Sequence, residues 1–321
     1  MSKSLKTWLL AAISLIVIGG MFFSLLMTLF YGWNFFDLSS ERMAVNYHSF
    51  KEEIREISIE SNTADIIFSP LVGTGAEIFC CEWEKQLHSV TVEDGVLIIK
   101  ATDTRKWYEH IGIYFGTPKI EIYLPAGLYQ ALNIEESTGD IDIHSDFEFK
   151  SVDIKTSTGD VSLGCSSEGL LKVNTSTGNI MATGLTAEEL DLSVSTGTVV
   201  AENVICSNFS LKVSTGRSAL TNVTCRNFTS EGDTGDLRAK NLIAEESVSI
   251  KRSTGDVTFD RCDGGEITVL TDTGDIKGSL LSAKVFIAET DTGRVKVPET
   301  AVGGRCNLTT DTGDIEINIV E

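Results

Sequence analysis

Reactive chemistry would enter this chain through four Asp-Thr-Gly triplets, beginning at Asp233, Asp272, Asp291 and Asp311. In a pepsin-like aspartic protease two such loops bring two carboxylates together to share one proton. Six further triplets carry Ser in the place of Asp, at Ser137, Ser157, Ser176, Ser195, Ser214 and Ser253. A residue that interchanges with Ser inside one chain is not behaving as a catalytic acid. Turn chemistry explains both: glycine takes positive φ as the third residue of a type II turn, and Ser or Asp at the first position bonds back to the turn's own backbone. In "TDTGDI" at 271–276, Gly274 then sets the bend, Asp272 caps it and Ile276 enters the core.

Carboxylates also follow the glycines. The next position reads Asp140, Asp160, Asn179, Thr198, Arg217, Asp236, Asp256, Asp275, Arg294 and Asp314. Hard, oxygen-seeking cations bind such oxygens, which makes Asp236, Asp256, Asp272, Asp275, Asp311 and Asp314 weak metal candidates. The favoured reading is of solvated turn residues, with Arg217 and Arg294 relieving repulsion, because the spacing is not the nonapeptide of calcium-binding β-rolls. No motif for a cofactor or for catalysis is found. The histidines His48, His88, His110 and His144 are scattered and read as surface or edge residues. Seven cysteines show no CxxC pattern. Cys206 and Cys225 hold equivalent places in adjacent repeats and could form a disulfide or two buried thiols, of which the thiols are favoured.

The elements that carry these residues follow from the repeat itself. Glycines at Gly139, Gly159, Gly178, Gly197, Gly216, Gly235, Gly255, Gly274, Gly293 and Gly313 recur every 19 or 20 residues, each preceded by Thr. Seven positions before them stand Leu132, Val152, Leu171, Leu190, Phe209, Phe228, Val248, Ile267, Phe286 and Cys306. Five before, the column is apolar except at Ser230, and two after it is apolar except at Ser218. The intervening positions are mostly polar, so the pattern has the period of two that belongs to strands. One unit of this length cannot bury its apolar face, but units stacked about 4.8 Å apart share a core. The expected fold is all-β: a β-solenoid of ten 19–20-residue rungs, about 45–50 Å long. "SNTADIIF" at 61–68 reads as a degenerate rung with Ala64 in the glycine place.

Upstream, residues 50–131 alternate irregularly and predict an N-terminal β cap, with "EDG" at 93–95 as a hairpin turn. The chain ends on "DTGDIEINIVE", which predicts an uncovered last rung and an edge open to end-to-end association. Leu9–Tyr31 contains no charged residue. At 1.5 Å per residue it spans roughly 35 Å, enough to cross a bilayer. It is longer than the apolar core of a cleaved signal peptide. Lys3 and Lys6 before it, and Asp37 and Glu41 after it, place the N-terminus in the cytoplasm by the positive-inside rule, with Trp33, Phe35 and Phe36 as the interfacial belt. The expected division is a cytoplasmic N-terminus 1–8, a transmembrane signal-anchor helix 9–33, a linker 34–49, the β module 50–131 and the repeat domain 132–321. A formal charge of −20 excludes nucleic acid as a partner.

Repeated "STGDI" and "DTGDI" units, preceded by "ISIESNTADIIF", "IEIYLPAG" and one transmembrane helix, resemble the bacterial β-strand-repeat proteins labelled "putative adhesins" of unknown function. The resemblance covers residues 50–321. It implies a membrane-anchored protein of the cell surface or envelope-stress response, and it carries no catalytic residue across. The expected function is therefore non-catalytic binding or scaffolding outside the cell by a single-pass membrane protein, with an envelope protein or glycan as partner. The alternatives are an enzyme acting on envelope glycans and a homo-oligomer joined through the C-terminal rung.

Overall fold

Alternating inward and outward side chains build nearly everything downstream of one helix. The computed structural model describes residues 3–31, 42–106 and 116–320. The expected interfacial residues Trp33, Phe35 and Phe36, and also His110, lie outside these. Helix α1 (Lys3–Leu26) runs into a short π-helical turn, Met27–Tyr31. Its apolar stretch, Trp8–Leu29, is long and apolar enough to cross a membrane.

The repeats lie on one another in parallel and in register. Leu132 stands opposite Val152, Val152 opposite Leu171, and Leu171 opposite Leu190. Farther along, Phe228, Val248 and Ile267 continue the line. Each sequence column thus becomes a row of buried side chains along the stack. A slip of one residue would turn such a row into solvent, which is why the apolar alternation fixes the register. The second strand of each repeat does the same through Ile141, Val161, Ile180 and Val199.

Between these two strands the chain bends at the repeat glycine, whose φ lies between 126° and 158° at all ten positions. That is more extended than the value of about +80° expected for a type II turn. Stacking is the reason. A Cβ on Gly216 would overlap the carbonyl oxygen of Gly197, and one on Gly159 that of Gly139. A second corner, six residues after the glycine, holds Asn203, Asn222 and Asn241 at φ near 50°. Asn222 donates its side-chain amide to Asn203 at 2.9 Å, and Asn241 to Asn222 at 2.8 Å.

Strands β1 (Met43–Phe50), β2 (Glu56–Thr63), β3 (Asp65–Leu71), β4 (Ala76–Trp83), β5 (Gln86–Glu93), β6 (Val96–Asp103) and β7 (Lys119–Pro125) precede the repeats, whose first strands are β8 (Gly127–Thr138) and β9 (Ile141–Ile143). β2 and β3 form a level of the stack: Thr63 faces Thr138 and Ile66 faces Ile141. Gly139 lies against the Ala64 carbonyl, so the degenerate repeat at 61–68 occupies the place its sequence suggests. β6 and β7 then lie parallel on β2 and β3. Beyond them the direction reverses, since β5 is antiparallel to β6, β4 to β7 and β1 to β4. Asp94 and Gly95, both at positive φ, make the β5–β6 hairpin turn. β1 falls mostly within the stretch expected as linker.

The other end departs from the sequence reading. The C-terminal strands Arg305–Thr312 and Ile315–Ile319 do not form the bare end. They lie between the strands of the eighth repeat and those of the ninth: Ile267 faces Cys306, which faces Phe286. Likewise Ile276 faces Ile315, which faces Val295. Among the described residues the open edge is therefore Val285–Thr292 with Val295–Lys296, which corrects the expectation that the C-terminal rung is the uncovered last one. Adjacent repeats share the same columns, so local pattern does not encode which of the last two sits outermost.

Candidate functional site

Three residues before each corner glycine, one inward column is polar at several levels. In stacking order it begins Ser61, Glu136, Thr156 and Thr175. At the cap, strands β4 and β5 add two more ionisable side chains. Glu82 Oε2 accepts the backbone N–H of His88 at 2.7 Å and meets His88 Nδ1 at 2.7 Å. Its Oε1 accepts from Asn46 Nδ2 on β1 at 2.7 Å. His88 Nε2 lies 3.1 Å from Ser61 Oγ. Ser61 in turn hydrogen-bonds Glu136, whose Oε1 accepts the amides of Ser137 and Thr138 at 3.1 and 3.2 Å. One chain of hydrogen bonds thus crosses five strands, β1, β4, β5, β2 and β8.

All four central groups are buried: Glu82 is 1% exposed, Ser61 4%, Glu136 5% and His88 9%. Burial holds the Glu136 carboxyl above its ordinary range, partly offset by hydrogen bonds from Ser61 and the two amides. The order Glu82–His88–Ser61 matches the orienting acid, base and nucleophile of a serine hydrolase. Two features make it a different device here. The Ser61 hydroxyl faces the interior, and Glu136, when ionised, places a negative charge where a tetrahedral intermediate would need donors. The arrangement joins the cap to the repeats through buried hydrogen bonds. His88 was expected at the surface; the signal of its burial is its parity with the inward Val90 on β5.

The carboxylates that follow the glycines serve the stack. Asp140 Oδ1 accepts the amide of Asp160 at 2.8 Å, and Asp160 Oδ1 that of Asn179 at 2.7 Å. Asp236 does the same for Asp256 at 3.2 Å, Asp256 for Asp275 at 2.8 Å, Asp275 for Asp314 at 2.7 Å and Asp314 for Arg294 at 2.9 Å. Each of these levels thus offers one oxygen to the backbone of its neighbour. The residue two before the glycine, expected to cap the turn, points outward instead at Asp272 and Asp311, and these two face the same level boundary. Hydrogen bonds from Lys277 and from the Asp314 amide hold the Asp275 carboxyl below its usual range, and those from Arg294 do so for Asp314. Among the described residues, no group of three or more His, Cys, Asp or Glu is placed to hold a metal ion. Cys206 and Cys225 are buried free thiols, each pushed up to about 12 by burial. Thiols so protonated are poor nucleophiles.

On the outer face near the cap, Glu60, Asn62, Glu135, Ser137, Lys155 and Asn174 border a shallow polar groove of about 470 Å³. Ser157 and Ser176 extend the row of serines along it.

Three solved structures are similar to this chain at low identity. A "putative adhesin" from Parabacteroides merdae is 11% identical, covering 87% of this chain and 98% of its own, with a TM-score of 0.49. A "putative lipid binding protein" from Parabacteroides distasonis is 13% identical over 88% of this chain and 98% of its own, with a TM-score of 0.44. A "putative adhesin" from Bacteroides fragilis is 15% identical over 86% and 97%, with a TM-score of 0.41. No curated protein matches the chain. The Toastrack DUF4097 family profile matches residues 54–217 and again 193–321, so nearly all of the chain downstream of β1 is accounted for, and the protein belongs to that family.

Proposed function

We propose that the protein is a single-pass, N-in membrane protein that presents a ten-rung acidic β-solenoid outside the cell as a non-catalytic binding or scaffolding surface. The observation that supports this best is the outer face of the stack. There Ser137, Ser157 and Ser176 stand in register beside Glu135, Lys155 and Asn174 and border the polar groove. Rows of short hydrogen-bonding groups at a fixed spacing suit an extended polar partner, an envelope glycan or protein strand, contacted weakly at many points. The reactive order Glu82–His88–Ser61 supports no competing hydrolytic reading, because its hydroxyl is turned into the core. The apolar helix supports anchorage, and the lysines before it support the orientation.

The test uses the full chain with a C-terminal tag. In intact cells an impermeant protease removes the tag if the repeats are outside; protection of the tag would reverse the orientation. Detergent-solubilised protein should then retain envelope material, with periodate or protease treatment of that material separating glycan from protein. Ser157→Arg, which fills the groove, lowers retention at least tenfold. Undiminished retention by that variant, or release of cleaved glycan by the wild type, would overturn the reading.

A further inference from the structure

The column that begins at Ser61 and Glu136 changes character halfway along the stack. Val194 and Val213 are apolar, then Gly232 and Arg252 follow, with Thr271 facing Arg252 from the next level. Arg252 is 1% exposed, the largest fully buried side chain of the described residues. Three neighbours give way to it. Gly232 has no side chain where the guanidinium lies, since a Cβ there would overlap Nη1. Ser230 and Ser218 are the polar members of the columns five before and two after the glycine, and both turn their oxygens to Nη2, at 2.9 and 3.2 Å.

This accommodation gives the charge no directly paired carboxylate. Arg252 Nε and Nη1 are buried without a protein acceptor. Asp236, the carboxylate whose charge acts on Arg252, accepts the Asp256 amide and pairs with Arg238. Guanidinium does not shed its proton at physiological pH, so the positive charge remains inside. A buried charge needs a counter-charge or full solvation. Each serine oxygen that accepts from Nη2 retains a hydroxyl hydrogen free to donate. The site therefore offers one full positive charge, three unpaired N–H bonds on Nε and Nη1, and two O–H donors, all out of contact with solvent.

We infer that Arg252, with Ser218 and Ser230, forms an internal binding site for one small monovalent anion of halide size. Its single charge matches the ligand's, and enclosure within the stack disfavours multivalent oxyanions. The bound anion joins the level of Ser218 to those of Ser230 and Arg252.

The test is thermal unfolding of the full chain in detergent, with sodium gluconate exchanged for sodium chloride or bromide at constant ionic strength. The midpoint should rise with halide concentration and then follow its logarithm, as linkage to a ligand of the folded state requires. Arg252→Met should remove that dependence, and Ser230→Ala should weaken the apparent affinity at least threefold. Equal midpoints in gluconate and chloride for the wild type, or an undiminished halide effect in Arg252→Met, would overturn the site. Bromide soaked into crystals gives a reading independent of stability: an anomalous peak beside Arg252 supports the site, and an occupied water network without bromide refutes it.

Discussion

Among the described residues, buried charge interrupts the interior at the cap, at Arg252 and at Lys284, which pairs with Asp263; the cap and Arg252 are resolved in opposite ways. At the cap, Glu82 is met by Asn46, the His88 amide and the His88 ring, and Glu136 by two amides and Ser61. Glu82 draws its partners from β1 and β5, and Glu136 is held through Oε1 by two amides of its own strand while its Oε2 has no hydrogen-bond partner. In mid-stack, Arg252 meets two hydroxyls and keeps two donor nitrogens unpaired. The cap joins antiparallel strands to parallel ones and has no repeating geometry to hold it, so a polar network specifies the fit. The mid-stack levels are already held by their register and gain nothing in specificity from the charge. Partnered charge at a junction acts as structure, whereas unpartnered charge within a regular stack acts as a receptor.

The sharpest way to break this contrast is to remove one member on each side. Glu82→Ala strands the His88 amide in the interior, removes the acceptor of the half-buried Asn46 side chain and should cost about 3–5 kcal/mol, read from urea unfolding. A loss below about 1 kcal/mol would show that the cap network is dispensable. Arg252→Met in halide-free buffer should instead raise stability by about 1–4 kcal/mol, because an apolar side chain replaces a buried charge with no directly paired carboxylate. A large loss would place Arg252 in the same class as Glu82. The smallest effect concerns protonation. Glu136 has its folded pKa raised above the ordinary value of 4.5, so its contribution to stability is fully present below that value and is lost as pH rises through the folded pKa. Relative to Glu136→Gln, the wild type should therefore weaken on going upward from pH 4.5, by at most about 1.4 kcal/mol per pH unit for one proton. Parallel curves for the two proteins would mean that Glu136 is not the titrating group.

Much of this was legible in the columns. Leu132, Val152 and Leu171 announce both the strand period and the register, and Ala64 aligns the β2–β3 level with the glycines. The exceptions Ser218 and Ser230 marked the Arg252 site, but only together with Gly232 and Arg252 one column away. The cap was legible as strands and not as a network, since Glu82 and His88 approach Ser61 from elements whose pairing no local pattern specifies. The carboxylates after the glycines were visible too. Their use was not, because a side chain that accepts an amide 19 or 20 residues away has the same sequence signature as one facing water.

The strand order at the far end bears on how the chain is made. Through eight repeats, each new segment finds its seat already built by the one before. The ninth does not: the place beside Ile267 belongs to Cys306, which has yet to arrive. Phe286 and Cys306 occupy the same column, so the earlier arrival fits the later one's seat. The tenth repeat therefore has to displace, or forestall, a ninth that carries the same alternation of inward and outward residues. A stack built by sequential addition thus closes with an exchange in its strand order.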